Sequence, residues 1–124
     1  MKNIAITENH LFQKVYLYGQ KCSCEHIVVY VHIDYHANRL MRENPLKTKV
    51  NRLGLTVTKK IGGAVQRTRA RRVLRSAFQQ VNKANNLKKG LLIVLVAKPN
   101  ILDAKSTDVE KDLVYAFQKL NVIN

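Results

Sequence analysis

Residues Leu91 to Ala97 read LLIVLVA, an unbroken apolar run between Gly90 and Lys98. The run is too short to span a bilayer, and it does not alternate, so it reads as a β-strand buried on both faces. Pro99 ends it, since proline has no N–H to offer a ladder. Arg52 to Thr58 shows the other strand period: Leu53, Leu55 and Val57 alternate with Gly54, Thr56 and Thr58, a strand with one buried face. A further strand region runs from Cys22 through IVVYVHI to about Ile33.

Helical spacing governs most of the remainder. Leu11, Phe12, Val15 and Tyr16 share one side of a first helix that Thr7 can cap and Gly19 stops. Ala70, Val73, Leu74, Ala77, Phe78 and Val81 recur at three and four residues, an apolar stripe facing a core. Val109, Leu113, Phe117 and Leu120 do the same in a final helix. Thr107 and Glu110 have capping-box spacing at its start, where Asp108 and Asp112 favour the positive end of the helix dipole. Asp34 to Val50 is polar, contains Pro45 and reads as an unusually long, mobile hairpin loop carrying Arg39, Arg42, Lys47 and Lys49. The order helix, strands, helix, strand, helix makes an α+β or α/β sandwich with helices packed on a four-stranded sheet. At 124 residues and 46% hydrophobic, the chain suits one compact domain, residues 1–124.

Charge is distributed very unevenly over that framework. From Asn44 to Leu102 there are 14 Lys or Arg and no acidic residue, so the net charge of +14 sits entirely in this section. Thr58 to Phe78 is its densest part, with Lys59, Lys60, Arg67, Arg69, Arg71, Arg72 and Arg75. A basic field steers polyanions inward, and exchanging phosphate counterions for Lys and Arg supplies affinity that is independent of sequence. Arginine adds a planar fork that grips phosphate with two hydrogen bonds and stacks on bases. At 100° per residue, Arg67, Arg71 and Arg75 run along one border of the apolar stripe, Arg69 lies on the other, and Arg72 and Thr68 point away. Gly62 and Gly63 precede the helix, where free N–H groups favour an anion, although a plain strand-to-helix turn needs the same residues. The Walker spacing is absent.

Two cysteines cannot staple the fold when only one residue separates them, and they suit a reducing compartment. On a strand Cys22, Cys24 and His26 would share one face, but a structural zinc site needs a second ligand pair and none is spaced for it. No metal site is therefore expected. MKNIAITENH lacks the apolar core of a signal peptide, so the cytoplasm is the default.

The string KKIGGAVQRTRARRVLRSAF closely resembles the signature of the bacterial ribonuclease P protein family: a Lys-Lys pair, Gly-Asn-Ala-Val, Arg-Asn-Arg and a basic helix ending in Ala-Phe. Gly63 and Thr68 each stand where that family usually has Asn. FQKVY, followed by Gly19, resembles the family's first helix, and Tyr30 falls where the family usually has a strand tyrosine. The resemblance implies an α-β-β-β-α-β-α order with a left-handed crossover from the Leu53 strand through the arginine helix to the Leu91 strand, against the usual rule.

It also implies a function. The family forms the protein subunit of an endoribonuclease that removes the 5′ leader of precursor tRNA, with the chemistry on an RNA subunit and Mg2+ held mainly on RNA. By that resemblance no protein side chain is catalytic, and the partners are the catalytic RNA and precursor tRNA, with no membrane and no protein partner. Lys59, Lys60, Arg67, Thr68, Arg69, Arg71, Arg72 and Arg75 then bind RNA, and Phe12, Tyr16 and Tyr30 edge a cleft for the single-stranded leader. From spacing alone, Phe12 and Tyr16 read first as core residues. A ribosomal or other structured-RNA binding protein would share the basic helix. A stand-alone protein nuclease would have only the four His residues as acid-base groups, and metal-assisted hydrolysis needs clustered carboxylates that the basic half lacks.

Overall fold

The LLIVLVA run forms a strand at the middle of the sheet. A computed structural model describes residues 4–6, 9–34, 51–85 and 87–123. In chain order the elements are β1 (Ile4–Ala5), α1 (Asn9–Tyr18), β2 (Gln20–Ser23), β3 (Ile27–Ile33), β4 (Arg52–Thr56), α2 (Ala64–Ala84), β5 (Leu91–Ala97) and α3 (Ser106–Lys119). Short 3-10 turns at Lys59–Ile61 and Pro99–Asp103 precede α2 and α3 respectively. The sheet order is β1-β4-β5-β3-β2. β5 runs parallel to β4 and antiparallel to β3, and β2 closes a hairpin on β3. The expected four-stranded sheet is thus present, with the two-residue β1 added beside β4. β4 and β5 are parallel neighbours joined through α2, a crossover connection.

Both faces of β5 are covered, which is why it carries no polar alternation. Ile93 and Leu95 join the α2 and α3 side chains Leu74, Phe78, Leu113 and Phe117 in the larger core. Leu92 and Val94 face the other way, onto Leu11 and Val15 of α1. Phe78 and Phe117 meet edge to face at 6.2 Å, tying α2 to α3. The α2 stripe is buried as its spacing requires at Ala70, Leu74, Ala77, Phe78 and Val81, with Val73 partly buried at the margin.

Two polar side chains are buried where the chain leaves and re-enters the sheet. Arg52 donates from Nε and one terminal nitrogen to the two Asp34 carboxylate oxygens, at 2.7 and 3.0 Å. Asn51 donates to the Lys88 carbonyl at 2.9 Å and accepts from the Leu91 N–H at 3.0 Å. Both side chains therefore have the partners that burial demands. They bracket the long loop read between Asp34 and Val50, of which residues 35–50 lie outside the described residues, as does the Thr7 cap.

Two local expectations are corrected. α3 starts two residues earlier than the Thr107 cap requires: the cap position is Lys105, whose N–H donates to the Asp108 carboxylate at 2.9 Å, so Asp108 rather than Glu110 closes the first turn. Asp108 is three residues beyond Lys105, the distance at which a side chain reaches back to the cap position. Cys22, Cys24 and His26 do not share a strand face, because β2 ends at Ser23 and the chain turns there.

Candidate nucleic-acid interface

Strand register builds the face that α1 only partly covers. Tyr30, Val94 and Gly54 lie in one row across β3, β5 and β4, and Val28, Val96 and Thr56 lie in the next. Phe12 descends from α1 onto the first row. A methyl group at Gly54 would stand 2.6 Å from Phe12 Cε1, so the missing side chain there is what seats the ring. Val28, Val96 and Thr56 are half-buried, leaving the second row open beyond the helix.

The three aromatic residues singled out from the sequence come together here. Phe12 and Tyr16 have ring centroids 6.4 Å apart, and Tyr16 meets Tyr30 edge to face at 5.0 Å. Phe12 and Tyr30 are half-buried, whereas Tyr16 is 38% exposed. Core packing and exposure are therefore divided among the three. The Tyr16 hydroxyl reaches the Thr56 hydroxyl at 2.5 Å. Thr56 and Gly54 were visible in the sequence only as the unburied half of an alternating strand; their roles depend on a register that the alternation does not specify.

The arginine helix α2 packs on the other side of the sheet. Lys59 and Lys60 are exposed in their 3-10 turn, and Gly62 holds a φ of 146°, a conformation that favours glycine. Gly63 then caps α2 in extended geometry with no acidic residue in the first turn, leaving that end electropositive. The arginines are not equivalent. Arg69, Arg72 and Arg75 are exposed, while Arg67 and Arg71 are half-buried. Arg69 donates to the Leu102 carbonyl at 2.8 Å, holding the Pro99–Asp103 turn against α2. Arg67 Nε is buried and finds no hydrogen-bond partner among the described residues. Thr68 donates its hydroxyl to the Ala64 carbonyl at 2.9 Å, within the helix. Of the sites expected on α2, only Arg72 and Arg75 are both exposed and without a protein hydrogen bond among the described residues.

The thiols serve packing. Cys22 and Cys24 are buried, and His26 is held by Asp112 of α3, which accepts from the His26 N–H at 3.0 Å and contacts ring Nδ1 at the same distance. Lys98 ties down the same turn through Ser23 Oγ and the Cys24 carbonyl. Burial, then the adjacent Cys22 thiol and Asp112 carboxylate, push the Cys24 thiol from 9.0 up to about 12. Above pH 9 the unfolded thiol loses its proton while the folded one keeps it. Cys24 therefore contributes stability that is lost as pH rises from about 9 towards 12. Urea midpoints measured at about pH 8 and about pH 11 should fall less for Cys24→Ala than for the wild type. An equal fall would assign the alkaline loss to other groups.

Among the described residues, no helix is long and apolar enough to cross a membrane. The ribonuclease P family model matches residues 1–121. A ribonuclease P protein component of Clostridium botulinum, strain Langeland, is 31% identical over 124 residues, covering 100% of both chains. That of Clostridium acetobutylicum is 28% identical over 123 residues, covering 99% of this chain and 93% of the other. The RNase P protein of Staphylococcus aureus superposes with a TM-score of 0.75 at 25% identity, covering 99% of this chain and 100% of that one. The Thermotoga maritima RNase P protein shares the fold, with a TM-score of 0.64 at 20% identity over 84% of this chain and 86% of that one. With its sequence matched from end to end by such relatives and its sheet order and helices matched by their structures, this chain belongs to the ribonuclease P protein family.

Proposed function

We propose that the chain acts as a single RNA-binding domain that joins the catalytic RNA of ribonuclease P to the 5′ leader of precursor tRNA and so assists leader removal. The observation that carries this reading is the placement of two chemically different surfaces on opposite layers of one sheet. The α2 layer offers guanidinium groups, which suit the phosphates of a folded RNA. The α1 layer offers aromatic rings beside an open row of half-buried residues, which suits the unstacked bases of a single strand. Lys59 and Lys60 come three and four residues after Thr56, the end of the β4 strand that borders the open row. They can therefore meet backbone phosphates of a strand leaving that row.

Several carboxylates among the described residues are already engaged within the protein. Asp34 is engaged by Arg52, Asp108 by the Lys105 N–H and Asp112 by His26. Among the described residues, no three His, Cys, Asp or Glu side chains come together to hold a metal ion. In this reading, magnesium held mainly by the RNA of the holoenzyme would supply the activation of water and the stabilisation of the leaving oxygen that phosphodiester hydrolysis needs. The protein's part in this reading is to bind and position the RNAs, and its proposed setting is the cytoplasm.

Reconstitution tests this division of labour. The purified chain alone should not cleave precursor tRNA, and adding it to its cognate catalytic RNA should accelerate cleavage at low magnesium. Cleavage by the RNA-free protein would make it a nuclease in its own right. Tight binding without acceleration would return it to the class of structured-RNA binding proteins.

A further inference from the structure

The contact between Tyr16 and Thr56 is not explained by packing alone. Tyr16 stands on α1 and Thr56 on β4, 40 residues apart in sequence, and their hydroxyls approach to 2.5 Å at an exposed position. Tyr30, whose ring meets that of Tyr16 edge to face, is on β3. β5 lies between β3 and β4, so the residues that hold Tyr16 stand two strands apart, roughly 10 Å across the sheet. The ring is therefore fixed at two points, by an aromatic contact on its side and by a hydrogen bond at its tip.

Two hydroxyls in contact hold two protons and use one between them. Whichever group donates, the other keeps a proton for a further acceptor, and a hydroxyl that already accepts a hydrogen bond becomes a better donor. The pair thus places one O–H beside an exposed aromatic face, at the border of the open Val28, Val96 and Thr56 row. A base stacked on an aromatic side chain brings its ribose and phosphate oxygens close to the ring edge, and those oxygens are acceptors.

We propose that Thr56 is a positioning residue for the leader, acting with Tyr16 as one unit: the hydrogen bond holds the tyrosine ring at the stacking angle, and the remaining O–H is offered to the leader's sugar-phosphate backbone. The inference rests on the leader reading of this face and adds to it the residue that orients the ring. Because the tyrosine hydroxyl is already engaged, the site recognises a strand by stacking and backbone contact, and tolerates any base.

The test uses holoenzyme reconstituted with the cognate catalytic RNA and precursors with leaders of about zero to eight nucleotides. Tyr16→Phe keeps the ring without its hydroxyl, Thr56→Val keeps the shape without its hydroxyl, and Thr56→Ser keeps the hydroxyl. Tyr16→Phe and Thr56→Val should each reduce the affinity gained from the longer leader by roughly two- to tenfold, the range for loss of one hydrogen bond. The double variant should lose no more than either alone, because the two groups act together. Thr56→Ser should retain the gain, and affinity for the leaderless substrate should stay unchanged in all. Wild-type leader dependence in Tyr16→Phe and Thr56→Val, or losses that add in the double variant, would overturn the proposal. Tyr16→Ala separates the two levels. If it abolishes the leader's benefit while the hydroxyl variants keep it, only the pair is wrong. If it keeps the benefit as well, the leader reading of this face falls.

Discussion

Replacing Arg72 and Arg75 together by alanine is expected to weaken binding of the catalytic RNA on the order of a hundredfold, since each charge-assisted hydrogen bond contributes about 1.5 kcal/mol or more. These two are the clean probes on α2. Both side chains are exposed, and neither makes a hydrogen bond to the protein among the described residues. Arg69 would be a poorer choice because its loss also releases the Leu102 carbonyl and the turn it holds. Arg67 and Arg71 are half-buried, so their truncation removes packing as well as charge. The salt dependence discriminates electrostatic contact from indirect damage. A plot of log affinity against log salt should lose about 0.7 to 0.9 of slope for each phosphate contact removed, so the double variant should be flatter by about 1.4 to 1.8. The thermal midpoint should be unchanged, because the apolar stripe of α2 remains intact. An unaltered slope with native folding would make this helix face a solvated surface and move the RNA contact elsewhere.

The difference among those arginines marks how far the sequence could be read. The α2 stripe and its basic borders follow from spacing, because a helix repeats every 3.6 residues whatever it packs against. LLIVLVA declares double-sided burial for the same local reason. Which arginine keeps a free guanidinium is not local: Arg69 is engaged by a carbonyl 33 residues away, in a turn whose position depends on β5 and α3. The same holds for the aromatic face. Phe12 and Tyr16 announce an amphipathic helix, but the seat for Phe12 is an absent side chain at Gly54, and the partner of Tyr16 is a threonine on another strand. Both depend on β4 pairing with β5 in a register that places Gly54 opposite Val94 and Thr56 opposite Val96. Shifting that register by one residue would turn Leu53 and Leu55 to this face instead. The alternation of β4 therefore specifies two faces, and only the assembled sheet says what stands above each. The α3 cap differs from its expected position for a related reason, since Ser106, Thr107 and Asp108 offer several local pairings and packing of the preceding turn selects among them.

The aromatic face should separate from the arginine face in a single substitution. Tyr16→Ala is expected to lower holoenzyme affinity for precursors with long leaders about five- to a hundredfold, the range for losing one stacking platform. Binding of the protein to the catalytic RNA should hardly change, because Tyr16 and the α2 arginines lie on opposite layers of the sheet. Tyr16 is the proper target among the three rings. At 38% exposure it has a surface to offer, whereas Phe12 is seated on Gly54 and its truncation would open a gap between α1 and β4. The structural cost of Tyr16→Ala lies in the Phe12, Tyr30 and Thr56 contacts at a partly exposed position, so folding should persist and can be checked by circular dichroism and thermal midpoint. The decisive comparison is affinity as a function of leader length. Wild type should gain with each nucleotide until the strand has crossed the aromatic row, and Tyr16→Ala should lose that gain while binding leaderless substrate normally. Equal losses for leaderless and long-leader substrates would place the effect in the shared tRNA body or in assembly. A folded variant that keeps the full gain would make Tyr16 a packing residue, leaving the open row without its stacking platform.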